Sequence, residues 1–202
     1  RAAMRRRRQL AGALVDLYGE ESSEHSGSIG RLYLAGGQAP TAMPHLLGGM
    51  LRRKSQGRFV EAEELHTLLQ QAIEAGAEIP VEELPNYHLE YADLQLTMGN
   101  REGAQATLNS GIFQDGSRGQ ALAGLLQFNL DYTSGDIDKC QASLDLVSDV
   151  VESLGEVEIE LRYLSSKFAS LFGQGKFEEA IISSNRELDL AKSSGRQYEL
   201  AR

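Results

Sequence analysis

Several residue types are scarce in this sequence of 202 residues, and each scarcity excludes a class of protein. A single cysteine, Cys140, cannot form a disulfide within the chain, which is typical of a reducing compartment. Lysine and arginine number 20 against 29 acidic residues, and the net charge of −9 argues against a general nucleic-acid binder, which is usually basic. No apolar run approaches the roughly 18 residues of a membrane span, and the stretch from Leu10 to Val15 is too short for a signal peptide. We therefore expect a cytoplasmic protein that binds neither nucleic acid nor membrane.

The sequence also lacks the usual motifs of catalytic and cofactor sites. The Gly175-Lys176 pair has neither the spacing nor the following Ser or Thr of a phosphate-binding loop. Adjacent carboxylates such as Glu178 and Glu179 point to different parts of a helix surface, whereas general acid–base catalysis needs groups that converge in a cleft. The histidines lie in separate segments without a His-Glu-x-x-His motif, so one cysteine and these histidines make a poor zinc set: His25, His45, His66 and His88. We predict that the chain is not an enzyme and holds no cofactor and no metal.

What the sequence does contain is a short motif, a glycine followed five positions later by a small residue. Looser copies begin at Gly57, Gly99 and Gly135, and a weaker copy begins at Gly37. Glycine ends a helix because it tolerates positive φ, and the small residue lets the next helix cross closely. The motif predicts pairs of antiparallel helices, with Cys140 as a packing residue. The clearest copy reads Gly175-Lys176-Phe177-Glu178-Glu179-Ala180.

Apolar residues three or four positions apart along most of the chain indicate helices. One such stripe follows Gly135 and predicts a single helix through Ile137, Cys140, Leu144, Val147, Val151 and Leu154. No run alternates with a period of two over the length of a strand. Two helices with their turns occupy about 40 residues, and one hairpin cannot bury both of its apolar faces, so hairpins stack. We predict an all-α fold, a right-handed α-solenoid of stacked antiparallel helix hairpins with a period of about 40 residues.

The first part of the chain differs from the rest. Residues 1–28 read as a basic helix followed by a polar loop, and one interpretation is the tail of an upstream domain. Residues 5–8 are four arginines, and Leu10, Leu14 and Leu17 follow at helical spacing. A solvated helix start explains this segment better than a patch that contacts phosphate or an acidic partner, because the remaining chain is acidic. Residues 29–202 form the predicted repeat array. Since residues 197–202 resemble the first turns of another helix, we expect the array to be truncated at the C-terminus of an excerpt from a larger protein.

One copy of the motif departs from the pattern. Arg101 replaces the expected apolar residue, and Gly103, a weak helix former, precedes Ala104. The helix that follows is also the shortest second helix of any predicted hairpin. We therefore expect a kink or a weak joint in the segment 100–117.

The motif at Gly175 resembles the turn and second helix of tetratricopeptide-like repeats, and the resemblance extends over about residues 29–196. A further resemblance covers the first 75 residues: an arginine-rich helix, the segment from Ser28 to Gly37, an Ala/Leu helix and the segment from Gly57 to Ala62. It is similar to the region that follows the ATPase and winged-helix modules of large bacterial signalling ATPases of the maltose-regulon-activator type. This resemblance implies a sensor or scaffold arm rather than the motor.

Two functions fit a helical repeat array of this kind. The first is a non-catalytic scaffold module of a larger bacterial signalling or regulatory protein, which binds a protein or peptide segment in its concave groove. The alternative is a small-ligand sensor arm that controls a neighbouring ATPase or transcription-regulator domain. An apolar pocket with converging polar groups would favour the sensor, and a long open polar groove would favour the peptide binder. Other domains of the same polypeptide and a second copy of the chain are further candidate partners.

The groove is expected mainly on the first helix of each hairpin, away from the packing stripe. The tyrosines Tyr87, Tyr91 and Tyr132 could line it, but aromatic residues at stripe positions are more often part of the core. The predicted binding residues are polar and lie beside these stripes: Asn86, Glu90, Asp93, Gln127 and Arg162.

Overall fold

The computed structural model describes residues 1–19, 24–111 and 113–195 of the chain. Within these ranges all regular secondary structure is α-helical, which confirms the predicted all-α class. The expected helix start at residues 197–202 lies outside the described residues. The helices are α1 (Ala2–Tyr18), α2 (Ser26–Ala35), α3 (Ala39–Ser55), α4 (Phe59–Glu74), α5 (Leu84–Thr97), α6 (Arg101–Ser110), α7 (Arg118–Ser134), α8 (Ile137–Asp145), α9 (Ser148–Leu154), α10 (Val157–Gly173) and α11 (Phe177–Ser193).

The chain divides into two compact units, Arg1–Asn100 and Arg101–Arg202. The division falls at the start of the segment 100–117, where the sequence departs from its own motif. Residue 112 of that segment lies outside the described residues. The helix that opens the second unit, α6, has only 10 residues.

In the first unit the helices pack mainly against their neighbours in the chain. Helix α2 lies against α3, and α3 lies against α4, while α1 packs on α2 and α5 packs on α4 and α3. Leu46, Met50, Leu69 and Leu94 are completely buried at the centre of this unit. Leu46 and Met50 are four positions apart in α3, and Leu65 and Leu69 are four apart in α4, which is the spacing that predicts helices from the sequence.

In the second unit two helical hairpins pack together. Helix α7 pairs with α8, α10 pairs with α11, and α10 also contacts α7, α8 and α9. The core contains Leu125, Phe128, Leu144 and Ile159, of which Leu144 and Ile159 are completely buried.

The predicted glycine motif has the same local structure in all five copies. The glycines at 37, 57, 99, 135 and 175 have φ between 73° and 81°, the left-handed conformation that favours glycine. In the copy at Gly175, the Gly175 N–H donates to the Phe172 carbonyl and the Lys176 N–H donates to the Leu171 carbonyl, each at 3.0 Å. These two hydrogen bonds form a Schellman turn. The small residue of every copy is at most 1% exposed, as the motif predicts: Ala42, Ala62, Ala104, Cys140 and Ala180.

The helix predicted over residues 137–154 is interrupted, so the sequence prediction is wrong at this point. Helix α8 ends at Asp145 and α9 begins at Ser148. The interruption allows Val147 to reach α7 at Gly124, where a Cβ would clash with a methyl group of Val147. Leu144, Val147 and Val151 are thereby all buried, while Leu146 faces solvent. At the break, Val147 packs on α7 beside a glycine whose lack of a side chain leaves room for it.

Candidate binding groove

A groove runs across α9, α10 and α11 in the second unit. It consists of two adjoining cavities of about 160 and 250 Å³ that share Leu164, Lys167 and Arg186. The first cavity extends towards α9, and the second extends along the α10–α11 hairpin. The remaining lining residues are Ser148, Val151, Glu152, Glu160, Tyr163, Leu171, Glu179, Ile182 and Ser183.

The hairpin turn at Gly175 sets the residues that face each other across this groove. Leu164, Lys167 and Leu171 are three or four positions apart and therefore share one face of α10. The hydroxyl of Ser183 on α11 donates to the Leu164 carbonyl at 3.1 Å and fixes the register of the two helices. Ile182, which precedes Ser183, lies at the edge of the groove with 68% of its surface exposed. The groove therefore has an apolar floor that is open to solvent.

Charged groups form the rim of the groove. The Arg186 guanidinium lies 2.6 Å from a carboxylate oxygen of Glu160, which holds its charge at the junction of the two cavities. The Lys167 ammonium lies 5.8 Å from the centre of the Tyr163 ring, a cation–π contact. Burial raises the pKa of Tyr163, although a hydrogen bond with Ser148 acts in the opposite direction. Among the described residues Lys167 has no carboxylate within salt-bridge distance, so its charge is available to an incoming group.

Three of the five residues predicted for binding lie on α5 in the first unit. The structure brings two of them together on Lys54, whose ammonium lies 2.5 Å from Glu90 and 2.6 Å from Asp93. Because Lys54 belongs to the last turn of α3, the two ion pairs join α5 to α3. Asn86 is exposed on the same helix.

The other two predicted residues lie in the second unit, where each one contacts side chains of that unit. Gln127 exchanges two amide hydrogen bonds with Gln105, at 2.8 and 3.0 Å, and donates to Asp131 at 3.1 Å. Asp131 is buried and also accepts a hydrogen bond from the Ser143 hydroxyl at 2.8 Å. Arg162 is exposed and pairs with Glu158 one turn earlier, at 3.1 Å.

None of the five predicted residues lines the groove described above. The predicted residues are polar positions on the first helix of each hairpin, whereas the groove takes residues from α9, from α10 and from the second helix, α11. The sequence does contain one indication of the groove. Ile182 is an apolar residue beside the packing stripe of α11, and such a residue does not contribute to the hairpin core.

A second polar cluster lies inside the first unit, between α4 and α5. The His66 ring stacks on Tyr91 with ring centres 3.3 Å apart, and its Nε2 lies 2.8 Å from the Tyr87 hydroxyl. That hydroxyl accepts a hydrogen bond from the Gln70 amide at 2.6 Å. The Tyr91 hydroxyl donates to Glu63 at 3.3 Å. Of the three tyrosines considered as groove residues, Tyr87 is in the core, Tyr91 packs against it, and Tyr132 is about half exposed.

The environment of this cluster changes the acidity of its groups. Burial lowers the pKa of His66 to about 4. Burial is also the main reason that the pKa values of Tyr87 and Tyr91 rise to about 12, and the Glu63 charge raises both of them further. The hydrogen bonds of Tyr87 and Tyr91 connect α5 to α4, while the second carboxylate oxygen of Glu63 is buried without a hydrogen-bond partner among the described residues.

The described residues contain no group of three or more His, Cys, Asp or Glu side chains placed to hold a metal ion. None of the helices that can be described is both long enough and apolar enough to cross a membrane. No known protein family, curated protein or solved structure matches this chain. The tetratricopeptide-like and signalling-ATPase resemblances therefore rest on the sequence motifs alone.

Proposed function

We propose that this chain is a non-catalytic module that binds a peptide or protein segment in the groove across α9, α10 and α11. The observation that carries the proposal is the open groove itself, with Leu164 and Leu171 in its apolar floor and Ile182 exposed at its edge. Exposed apolar groups of this kind, surrounded by charged residues, are typical of protein interaction sites. The module serves as a scaffold within a larger bacterial signalling or regulatory protein of the cytoplasm.

The openness of the groove favours a peptide over a metabolite. Its two adjoining cavities, of about 160 and 250 Å³, are open to solvent, whereas a drug-sized ligand is mostly enclosed by its pocket. An open groove of this size accepts one or two side chains of a segment that continues along the surface. The alternative, a small-ligand sensor arm for a neighbouring ATPase or transcription-regulator domain, requires a more enclosed site and is our second choice.

The charges on the rim indicate how a bound segment is oriented. Lys167 and Arg186 lie beside the apolar floor, and Arg186 already pairs with Glu160. A carboxylate of the bound segment therefore pairs best with Lys167, whose ammonium contacts the face of the Tyr163 ring. Electrostatic contacts of this kind contribute mainly to specificity and to the rate of association.

We further propose that the helical hairpins belong to a right-handed, tetratricopeptide-like α-solenoid with a period of about 40 residues. The support is the shared geometry of the five glycine turns and the burial of the small residue that follows each of them. A solenoid presents an extended surface to a partner, which fits the proposed binding role.

The experiment compares two neighbouring isoleucines. Short random peptides displayed on phage are selected against the chain of 202 residues, and the affinity of the enriched peptides is measured by fluorescence polarisation. Ile182→Asp places a charge at the groove and is expected to weaken binding by roughly tenfold or more. Ile181→Asp is the matched control, because Ile181 is 58% exposed but does not line the groove. Equal effects of the two substitutions on peptide affinity would contradict the proposal. So would a selection in which peptides are enriched on the parent no more than on the Ile182→Asp protein.

A further inference from the structure

Helix α1 carries an apolar stripe on the side that faces away from α2. Ala11 is buried where α1 packs on α2. Leu10, Leu14 and Leu17 are spaced at four and three positions and lie on another side of the helix. Leu10 and Leu17 are 52% and 70% exposed, and Leu14 is half-buried. Helix α1 therefore has two apolar faces, of which one packs within the described structure.

The exposed stripe of α1 lies beside a concentration of positive charge. Helix α1 has four arginines and one acidic residue, Asp16. Arg7 and Arg8 donate to the carbonyls of Ala35 and Gly36 in the last turn of α2, at 3.3 and 2.7 Å. The side chains of Arg5 and Arg6 have no hydrogen-bond or carboxylate partner among the described residues. Their charge is therefore available to an acidic surface.

Helix α11 has the complementary properties. Phe177 and Ile181 are more than half exposed, and Leu188 continues the same stripe two turns further on. The helix contains four acidic and two basic residues. One of its two bases, Arg186, pairs with Glu160 across the groove. The exposed stripe of α11 is therefore apolar and lies on a helix with net negative charge.

The repeated motif indicates that this stripe of α11 is a surface to which a helix docks. When the glycine turns at Gly57 and Gly175 are aligned, Ile181 takes the position of Glu63, and Leu188 takes the position of Gln70. On α4 those two positions contact Tyr91 and Tyr87 of α5. The equivalent positions on α11 are apolar, so they fit a helix that presents apolar side chains.

We propose that α1 of one copy of the chain docks on α11 of another copy. The exposed leucines of α1 pack on Phe177 and Ile181, and the arginines of α1 lie near the acidic residues of α11. Because two different surfaces meet, the contact is heterologous and extends into short chains unless rotation closes a ring. The proposal is independent of peptide binding, since Ile181 and Ile182 point about 100° apart around α11.

Sedimentation velocity on the chain of 202 residues tests this contact over a range of micromolar concentrations. We expect the average mass of the parent to rise with concentration and to fall with added salt, because salt screens the charge contribution. Leu17→Asp blocks α1 and Ile181→Asp blocks α11, and each variant alone stays monomeric. Ile182→Asp, the matched control, associates like the parent. Circular dichroism melting curves check that all the variants are folded.

The decisive sample is an equal mixture of the Leu17→Asp and Ile181→Asp proteins. The Leu17→Asp protein retains an intact α11, and the Ile181→Asp protein retains an intact α1. The mixture is therefore expected to form a dimer of one copy of each, and no larger assembly. A parent that stays monomeric, a blocked variant that still associates like the parent, or a mixture that stays monomeric would each overturn the proposal. None of these three outcomes would contradict the peptide-binding groove, because the groove is tested separately, through the effect of Ile182→Asp on peptide affinity.

Discussion

Gly27 on α2 and Gly49 on α3 bring their two helices into backbone contact. A Cβ on Gly49 would lie 2.6 Å from the Cα of Gly27 and 2.7 Å from its nitrogen. Neither backbone atom can rotate out of the way, as the end of a flexible side chain can. The first unit therefore depends on this pair of glycines for the close approach of α2 and α3.

Gly49→Ala is expected to destabilise the first unit by about 1–3 kcal/mol or more, since the added methyl group overpacks a backbone crossing. Gly48→Ala is the matched control in the same helix. Its Cβ would meet only the Ser26 hydroxyl at 3.5 Å, an ordinary contact. Alanine improves the helix propensity there by up to about 1 kcal/mol. Urea unfolding of both variants measures the difference, and equal midpoints would show that the helices separate more easily than the structure indicates.

Ala180→Glu is expected to destabilise the α10–α11 hairpin, because Ala180 is 1% exposed at the small position of its motif. Overpacking costs typically about 1–3 kcal/mol, and a buried carboxylate without a partner adds to that cost or shifts its pKa upward. The neighbouring Glu179 is exposed, so Glu179→Ala is expected to change stability by no more than about 0.5 kcal/mol. Urea midpoints of the two variants are compared with the parent. If Ala180→Glu were as mild as Glu179→Ala, the motif would not mark a helix crossing.

Because of His66, the stability of the first unit is expected to decrease as the pH is lowered. Burial lowers its pKa from 6.5 to about 4, so the unfolded chain takes up the proton first as the pH falls. The contribution of His66 to stability is complete above about pH 6.5 and is lost as the pH falls towards 4. Its full size is on the order of 3 kcal/mol.

His66→Gln isolates this contribution, because other titrating groups are common to the variant and the parent. The difference between the urea midpoints at pH 7.5 and pH 5 should be smaller in the variant than in the parent. A parallel pH dependence of the two proteins would mean that His66 keeps an ordinary pKa.

The elements of this fold that could be predicted from the sequence are those determined by neighbouring residues. A glycine with positive φ and an alanine five positions later, such as Gly57 and Ala62, specify a turn and a close crossing through local geometry. The break at Val147 could not be predicted in this way. Val147 packs there against Gly124, a residue on another helix that the apolar period of residues 137–154 does not reveal.

The candidate site was less predictable than the fold for the same reason. Glu90 and Asp93 are predicted binding residues because they lie beside the packing stripe, on the first helix of a hairpin. Lys54, which pairs with both, lies 36 positions before Glu90. Likewise, the groove at Leu164 exists only because α9, α10 and α11 meet there. Long-range contacts decide which polar residues are already occupied and which surfaces remain open.

The arginines of α1 hold the N-terminal helix to the rest of the first unit through the end of α2. Arg7 and Arg8 donate to the carbonyls of Ala35 and Gly36, and α1 packs on α2. Helix α1 therefore lies at the margin of the unit, away from its main hydrophobic core. In hydrogen exchange, the amides of α1 should consequently open first and independently of α3, whose residues Leu46 and Met50 lie in the core. We therefore expect the N-terminal helix to separate from the first unit before the α2–α3–α4 core unfolds.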